Sequence, residues 1–355
     1  MRTTRTLALL TAPLLLSSLL ACGSTVSSSG GGGSTTSSSS PSSSGTGGSS
    51  SGSGGGSSGP TVTFAITKLY LGDTNPDGSP NPGNAWKQYG YNLDGVVSDA
   101  SSQGLCQPYG GAKKSAVYPD GNNGIDNSFG KNVLPIFSGI SADFAQHASD
   151  GYTAGKYTTM FSLVGLGQGG DQASLQGRVT MGAPLAMPPA FNGSDTWPVD
   201  ASSLSNAADT SSAKVTFPDG TMSNNGWYGH ANGPLIIHFG AQGSEFTLSI
   251  LDAIVDLELD ADHQTATGML GGVIDAAALA EEMRRVAGTF DPSLCSGPTI
   301  ESIVNEIKQE ADILDNGKQD SAQTCQGISI GLGFDAVKVL LGAPVAVPAP
   351  PDPCK

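Results

Sequence analysis

Val255-Asp-Leu-Glu-Leu-Asp-Ala-Asp-His263 followed by Gln264-Thr-Ala-Thr-Gly-Met-Leu-Gly-Gly-Val273 decides the fold class. Val255, Leu257 and Leu259 alternate with Asp256, Glu258 and Asp260, the period-2 pattern of a strand with one buried face. The polar turn Asp260-Ala-Asp-His263 then reverses the chain into Gln264–Val273, which makes a hairpin. Upstream, Leu235–Phe239 and Glu245–Leu259 are also strand-like. The same signals recur at Val62-Thr-Phe-Ala-Ile66, at Tyr157–Val164 and Ser174–Thr180 across a glycine-rich turn, and at Lys338–Val347 as a closing strand. These elements predict a mainly β protein, a large β-sandwich-like domain with two helices near its C-terminal end. Asp275 caps the first helix over Ala276–Val286, which should end at Gly288. In the second, Ile300, Ile303, Val304, Ile307, Ala311 and Leu314 trace one face at helical spacing, with Thr299 as N-cap and Gly317 as terminal glycine.

The β pattern begins only near Thr61. Arg2 and Arg5 precede an apolar run from Leu7 to Leu20, the layout of a secretory signal too short to span a bilayer. Residues 23–60 are almost wholly Ser, Gly and Thr, without charge or aromatic ring. Such a segment buries too little apolar surface to offset its ordering entropy, so it is expected to be a tether with a reach of about 30–35 Å. The expected organisation is a signal over 1–21, a tether over 22–60 and one β-rich domain over 61–355.

Leu19-Leu20-Ala21-Cys22 resembles the lipobox of bacterial lipoproteins. The resemblance implies acylation of Cys22, loss of residues 1–21, and a chain held at the cell envelope by lipid. Gly23 after the cysteine is compatible with an outer membrane where the source has two. Cys325-Gln-Gly-Ile-Ser-Ile-Gly-Leu-Gly-Phe334 loosely resembles the endings of uncharacterised secreted lipoproteins, which brings no activity with it.

Without Arg2 and Arg5, 14 basic residues face 31 acidic ones, a formal charge of −17. Such an excess argues against nucleic acid or anionic lipid surfaces as partners, since both demand clustered Lys and Arg. Cys106, Cys295, Cys325 and Cys354 are an even set with no CxxC pair, which fits disulfides in an oxidising compartment. Of the three pairings, Cys295–Cys325 with Cys106–Cys354 is favoured. A helix and its return loop separate the first pair, and the second pins the proline-rich tail.

Candidate chemistry lies in four places. Gly327-Ile-Ser-Ile-Gly331 matches the nucleophile elbow of hydrolases, but extended chain follows Ser329 and the last histidine is His263, so the serine is read as structural. Gly165, Gly167 and Gly170 spell a dinucleotide fingerprint without the helix it needs. Asp256, Glu258 and Asp260 share a strand face at about 7 Å spacing, a separation at which glycosidases place paired carboxylates. Asp73-Thr-Asn75-Pro-Asp77-Gly78 has the oxygen spacing of a calcium loop, though Asn84 stands at its twelfth position. Asp94, Asp120 and Asp126 lie in further Asp/Asn-Gly clusters that could complete a Ca²⁺ site. The same residue types are ordinary turn formers. Trp86, Tyr89, Tyr91, Trp197 and the stretch Asn225–His230 are read as core aromatics, with glycan stacking as the other option. His147, His230, His238 and His263 show no ligand spacing. No catalytic residue is assigned. The expectation is a non-catalytic binding or structural lipoprotein of the envelope, possible partners being a glycan or another envelope component; the alternative is a surface glycan hydrolase using the strand carboxylates.

Overall fold

The computed structural model describes residues 59–241 and 244–355. The signal over 1–21, Cys22 and almost all of the tether lie outside them. Among the described residues no helix is long and apolar enough to cross a membrane.

The chain is mainly β. Strand β1 (Val62–Tyr70) pairs antiparallel with β2 (Thr158–Leu163), and β2 with β3 (Gly177–Gly182). After β4 (Thr196–Asp200) come the short β5 (Val215–Phe217), β6 (Thr221–Ser223) and β7 (Gly226–His230). Then follow β8 (Leu235–Ala241), β9 (Ser244–Leu259), β10 (Thr265–Asp275) and, as the last strand, β11 (Gly327–Val345). The hairpin read from Val255 to Val273 is β9–β10, with Leu257 opposite Gly268.

Strand β11 organises the whole. It pairs antiparallel with β10 and β1, and its end runs parallel to β4, so β1, β2, β3, β4 and β11 close into a ring. Ala65, Met160, Trp197, Val199 and Val339, drawn from four ring strands, form their own buried cluster. The ring was not legible beforehand, because the parallel β4–β11 contact joins segments far apart in sequence. Beyond β10 the sheet continues through β9 and β7 to β6.

Strand β9 serves two sheets. Its first half pairs with β8 and its second with β7 and β10. The change falls at Asp252, a non-glycine residue at φ 47°, opposite a register shift in β10. A Cβ at Gly272 would lie 2.6 Å from the Leu251 carbonyl oxygen, so glycine is what lets β10 pass this bulge.

Two helices follow β10. Asp275 caps α1 (Ala276–Phe290), accepting from Ala278 N at 2.7 Å. Leu279, Ala280, Met283, Val286 and Ala287 face the core at helical spacing. The helix does not end at Gly288. A Cβ there would sit 2.5 Å from the Cys295 sulfur and 2.8 Å from that of Cys354, so this glycine makes room for a disulfide. Helix α2 (Pro298–Gln309) starts from Gly297 at φ 96° rather than from Thr299, and stops before Gly317. Ala311 and Leu314 keep helical spacing and are buried, yet the backbone has left the helix there: Asp312 N and Ile313 N both bond to Gly327 O.

All four expected cysteines form disulfides, but the favoured pairing is corrected. The bonds are Cys106–Cys325 and Cys295–Cys354. Return of the chain after α2 carries Cys325 to the head of β11, where Cys325 N bonds to Gln107 O and Gln107 N to Gln323 O. That places Cys106 beside Cys325. The tail is pinned as expected, to the Pro292–Cys295 turn after α1 rather than to the 106 loop.

Between β1 and β2 the chain makes a long excursion through short helical turns, among them Leu134–Ile140. Phe137 and Phe144 from it pack on Phe246 and Phe239, with Phe137 at 4.9 Å from Phe144 and 5.2 Å from Phe246 between ring centroids. Trp86, Trp197 and Trp227 are all buried, in line with the core reading.

Candidate functional site

Alternation along β11 explains the false hydrolase motif and builds the site. Ile328, Ile330, Leu332 and Phe334 face the main core, while Gly327, Ser329, Gly331, Gly333 and Asp335 face the other way. The 85–91 segment lies directly on that glycine row. A Cβ at Gly331 would be 2.1 Å from the Tyr89 carbonyl oxygen, and one at Gly333 would be 2.3 Å from the Tyr89 ring. Asn127 stitches the two together. Its Nδ2 donates to Trp86 O, Tyr89 O and Gly331 O, and its Oδ1 accepts from Gly130 N and Gly331 N. Ser329 Oγ donates to Asp312 Oδ2 at 2.5 Å and accepts from Ser128 N. It is therefore a buried linker, as read.

Beside this docked segment the sheet carries a cleft of about 250 Å³, lined by Tyr70, Gln88, Tyr89, Asp256, Glu258 and Asp335 among others. Register across the strands places Tyr70, Gly333, Met269, Asp256 and Tyr228 in one row. Lys68, Asp335, Thr267 and Glu258 form the next. Tyr70 stacks on Tyr89 at 6.2 Å, and Tyr70 Oη donates to Asp335 Oδ2 at 2.8 Å. Tyr91 Oη donates to Asp256 Oδ2 at 2.8 Å, and Met269 N to Asp256 Oδ1 at 3.1 Å. Burial pushes the Asp256 carboxyl above the usual range, while these hydrogen bonds pull it back. Glu258 is exposed on the same strand. Tyr228, also exposed, packs edge-on against Tyr91 at 6.4 Å and bonds through its hydroxyl to His230 Nε2 at 2.9 Å.

Of the three strand carboxylates, Asp256 and Glu258 thus meet in the cleft and Asp260 does not. Asp260 holds the hairpin turn, accepting from Gln264 N, Thr265 N and Thr265 Oγ1. Asp335 was missed; its one signal was its place in the glycine alternation of β11.

The expected calcium oxygens divide into two groups. Asp77 Oδ1 accepts from Ser79 N and Ser79 Oγ, and Asn75 Oδ1 from Asn81 Nδ2 and Gln88 Nε2. Asp73, half-buried beside them, accepts through its backbone carbonyl from Asn81 N. This is a self-satisfied turn. Asp94, Asp120 and Asp126 do gather around a buried patch with Asp312. Asp126 accepts from Leu93 N at 2.6 Å, Asp120 from Ser98 N, and Asp94 from Gln319 Nε2 at 2.8 Å. Burial, with Asp94, Asp312 and Asp120 nearby, raises Asp126 to about 9; burial raises Asp312 to about 7 and Asp120 to about 6. Among the described residues no three Asp, Glu, His or Cys side chains are arranged to hold a metal. Backbone amides and the Gln319 side chain already bond to these carboxylates.

The histidines are ordinary. His147 lies between Asp143 and Asp150, His238 pairs with Glu245, and His263 sits in the turn at φ 50°.

The chain matches no family model, no curated protein and no solved structure.

Proposed function

We propose that this protein is a lipid-anchored lipoprotein of the cell envelope whose β domain binds a glycan at the carboxylate–tyrosine face without cleaving it. Support for the anchor comes from the Leu19–Cys22 motif, and two disulfides suit an extracytoplasmic compartment. The binding reading rests on one observation: Asp256 is tied by Tyr91 Oη and Met269 N, which leaves Glu258 as the accessible acceptor beside the exposed Tyr228 ring. Sugar hydroxyls donate to such carboxylates, and their apolar faces stack on such rings.

A glycan array run beside a polysaccharide hydrolysis panel tests it. Binding without turnover is expected. One observation favours hydrolysis as a second reading: Asp256 is half-buried and its carboxyl raised, whereas Glu258, the next residue on the same strand face, is exposed. Turnover that Glu258→Gln abolishes would make that reading the right one. For the anchor, Cys22→Ala should move the protein out of the membrane fraction; unchanged fractionation would refute it.

A further inference from the structure

A second concavity, of about 930 Å³, opens on the other side of β8, at the upper end of the about 300–1,000 Å³ range of small-ligand pockets. Thr159 Oγ1 donates to Ile236 O, so the edge of β8 abuts β2. The β8–β9 ribbon then presents two faces. Leu235, Ile237 and Phe239 with Phe246 and Leu248 enter the core, whereas Ile236, His238, Glu245 and Thr247 line the groove. Val179 and Met181 of β3 form the facing wall.

Across this groove runs the proline-rich tail, 347–351. It is fixed at both ends, by the pairing of Val345 with Asp200 and by the Cys295–Cys354 bond. Val347 is half-buried and Pro348 to Pro351 are exposed. A strap anchored twice admits a thin ligand beneath it and excludes a bulky one.

Two acids and two lysines line the groove. Glu245 pairs with His238, and Asp200, still charged, accepts from Ser202 N at 2.8 Å through Oδ1. Lys156 is exposed and makes no ion pair among the described residues. Lys214 is exposed and donates to Ser202 O at 2.7 Å, which leaves two of its three donors free. Two unpaired cations stand at an apolar groove in a chain of strongly negative net charge. We infer that the groove binds a linear anionic amphiphile of the fatty-acid class, its chain under the strap and its headgroup at Lys156 and Lys214.

Titration of the exported full domain with hexadecanoate, followed by displacement of an environment-sensitive fluorophore, tests this. Saturable one-to-one binding is expected, weakened about tenfold or more in Lys156→Gln/Lys214→Gln, two exposed changes that leave the fold intact. Hexadecyltrimethylammonium, with the same chain and the opposite charge, should bind at least tenfold more weakly than hexadecanoate. A photoreactive fatty acid should label the 347–351 strap or the β8 wall. Anionic phospholipid vesicles distinguish the source of the chain: vesicles that leave bound hexadecanoate in place identify a soluble ligand, and vesicles that displace it identify a membrane lipid. Either supports the site. No hexadecanoate binding, equal binding by the double-lysine variant, or labelling elsewhere overturns it. Glu258→Gln should leave hexadecanoate binding unchanged, so failure at this groove and failure at the glycan face are separable.

Discussion

Two loops built on Asp, Asn and Gly lie close together in the sequence and behave oppositely. Around Asp73–Asp77 the polar side chains bond to one another in solvent; around Asp94–Asp126, Asp126 is buried with Asp94 and Asp120 half-buried beside it. Both are rich in Asp, Asn and Gly, and both invited a calcium reading. What separates them is the surface each one meets. The first meets water, and the second runs into Asn127, which makes five backbone contacts between the 85–91 segment, Gly130 and Gly331 of β11.

The largest expected effect breaks that docking. Asn127→Ala leaves several buried backbone groups unpaired, each worth about 1–3 kcal/mol, and should destabilise the domain by about 3–5 kcal/mol in denaturant unfolding. Asn75→Ala, at the solvated loop, should cost under about 1 kcal/mol. Comparable losses would erase the distinction.

Next comes Gly331→Ala, which drives a methyl into the Tyr89 backbone and should cost about 1–3 kcal/mol of overpacking. Trp86 fluorescence should shift red as the segment lifts. An unchanged spectrum and stability would mean that the loop is not seated on the glycine row.

The loops also differ in the sign of their pH response. Asp126, Asp312 and Asp120 have folded values raised above the ordinary carboxyl range. Their contribution is fully present below the unfolded value near 4 and is lost as pH rises through about 6 to 9. Asp77 is lowered by its bonds to Ser79, so its smaller contribution is present above the unfolded value and lost as pH falls. Melting temperature should therefore decline from pH 5 to pH 9, and Asp126→Asn should flatten the decline. A wild-type profile rising over that range would contradict the burial of this cluster.

The smallest effect is that of calcium. Because amides already satisfy these carboxylates, melting curves with Ca²⁺ and with chelator should superimpose. A rise with Ca²⁺ that Asp126→Asn removes would restore the ion.

Much of this was readable from residue order alone. Period-2 alternation located both strands of the β9–β10 hairpin, and the Asp275 cap is where it was expected; the closing strand, expected over Lys338–Val347, begins eleven residues earlier at Gly327. Contacts that depend on the third dimension were not. Gly288 looks like a helix stop because glycine usually is one, yet here it yields space to two sulfurs. Ala311 and Leu314 keep helical spacing, but the Gly327 carbonyl takes the Asp312 and Ile313 amides and ends the helix early. The cysteine pairing followed nearness in sequence, which β11 overrides by crossing the whole domain. Of the candidate site, Asp256 and Glu258 were visible as a pair on one strand. Asp335 was hidden among alternating glycines, and the groove beneath the strap has no sequence signature because its walls come from many segments far apart in sequence.

The account stands most directly on the accessible half of the carboxylate–tyrosine face. The measurement is the affinity of the best array glycan for the wild type, Glu258→Gln and Tyr228→Ala, each checked for an unchanged melting temperature. Both variants should lose about tenfold or more in affinity, since each removes a contact worth about 1–2 kcal/mol, and no hydrolysis product should accumulate. Equal affinity for all three proteins would contradict the assignment of this face as the binding site.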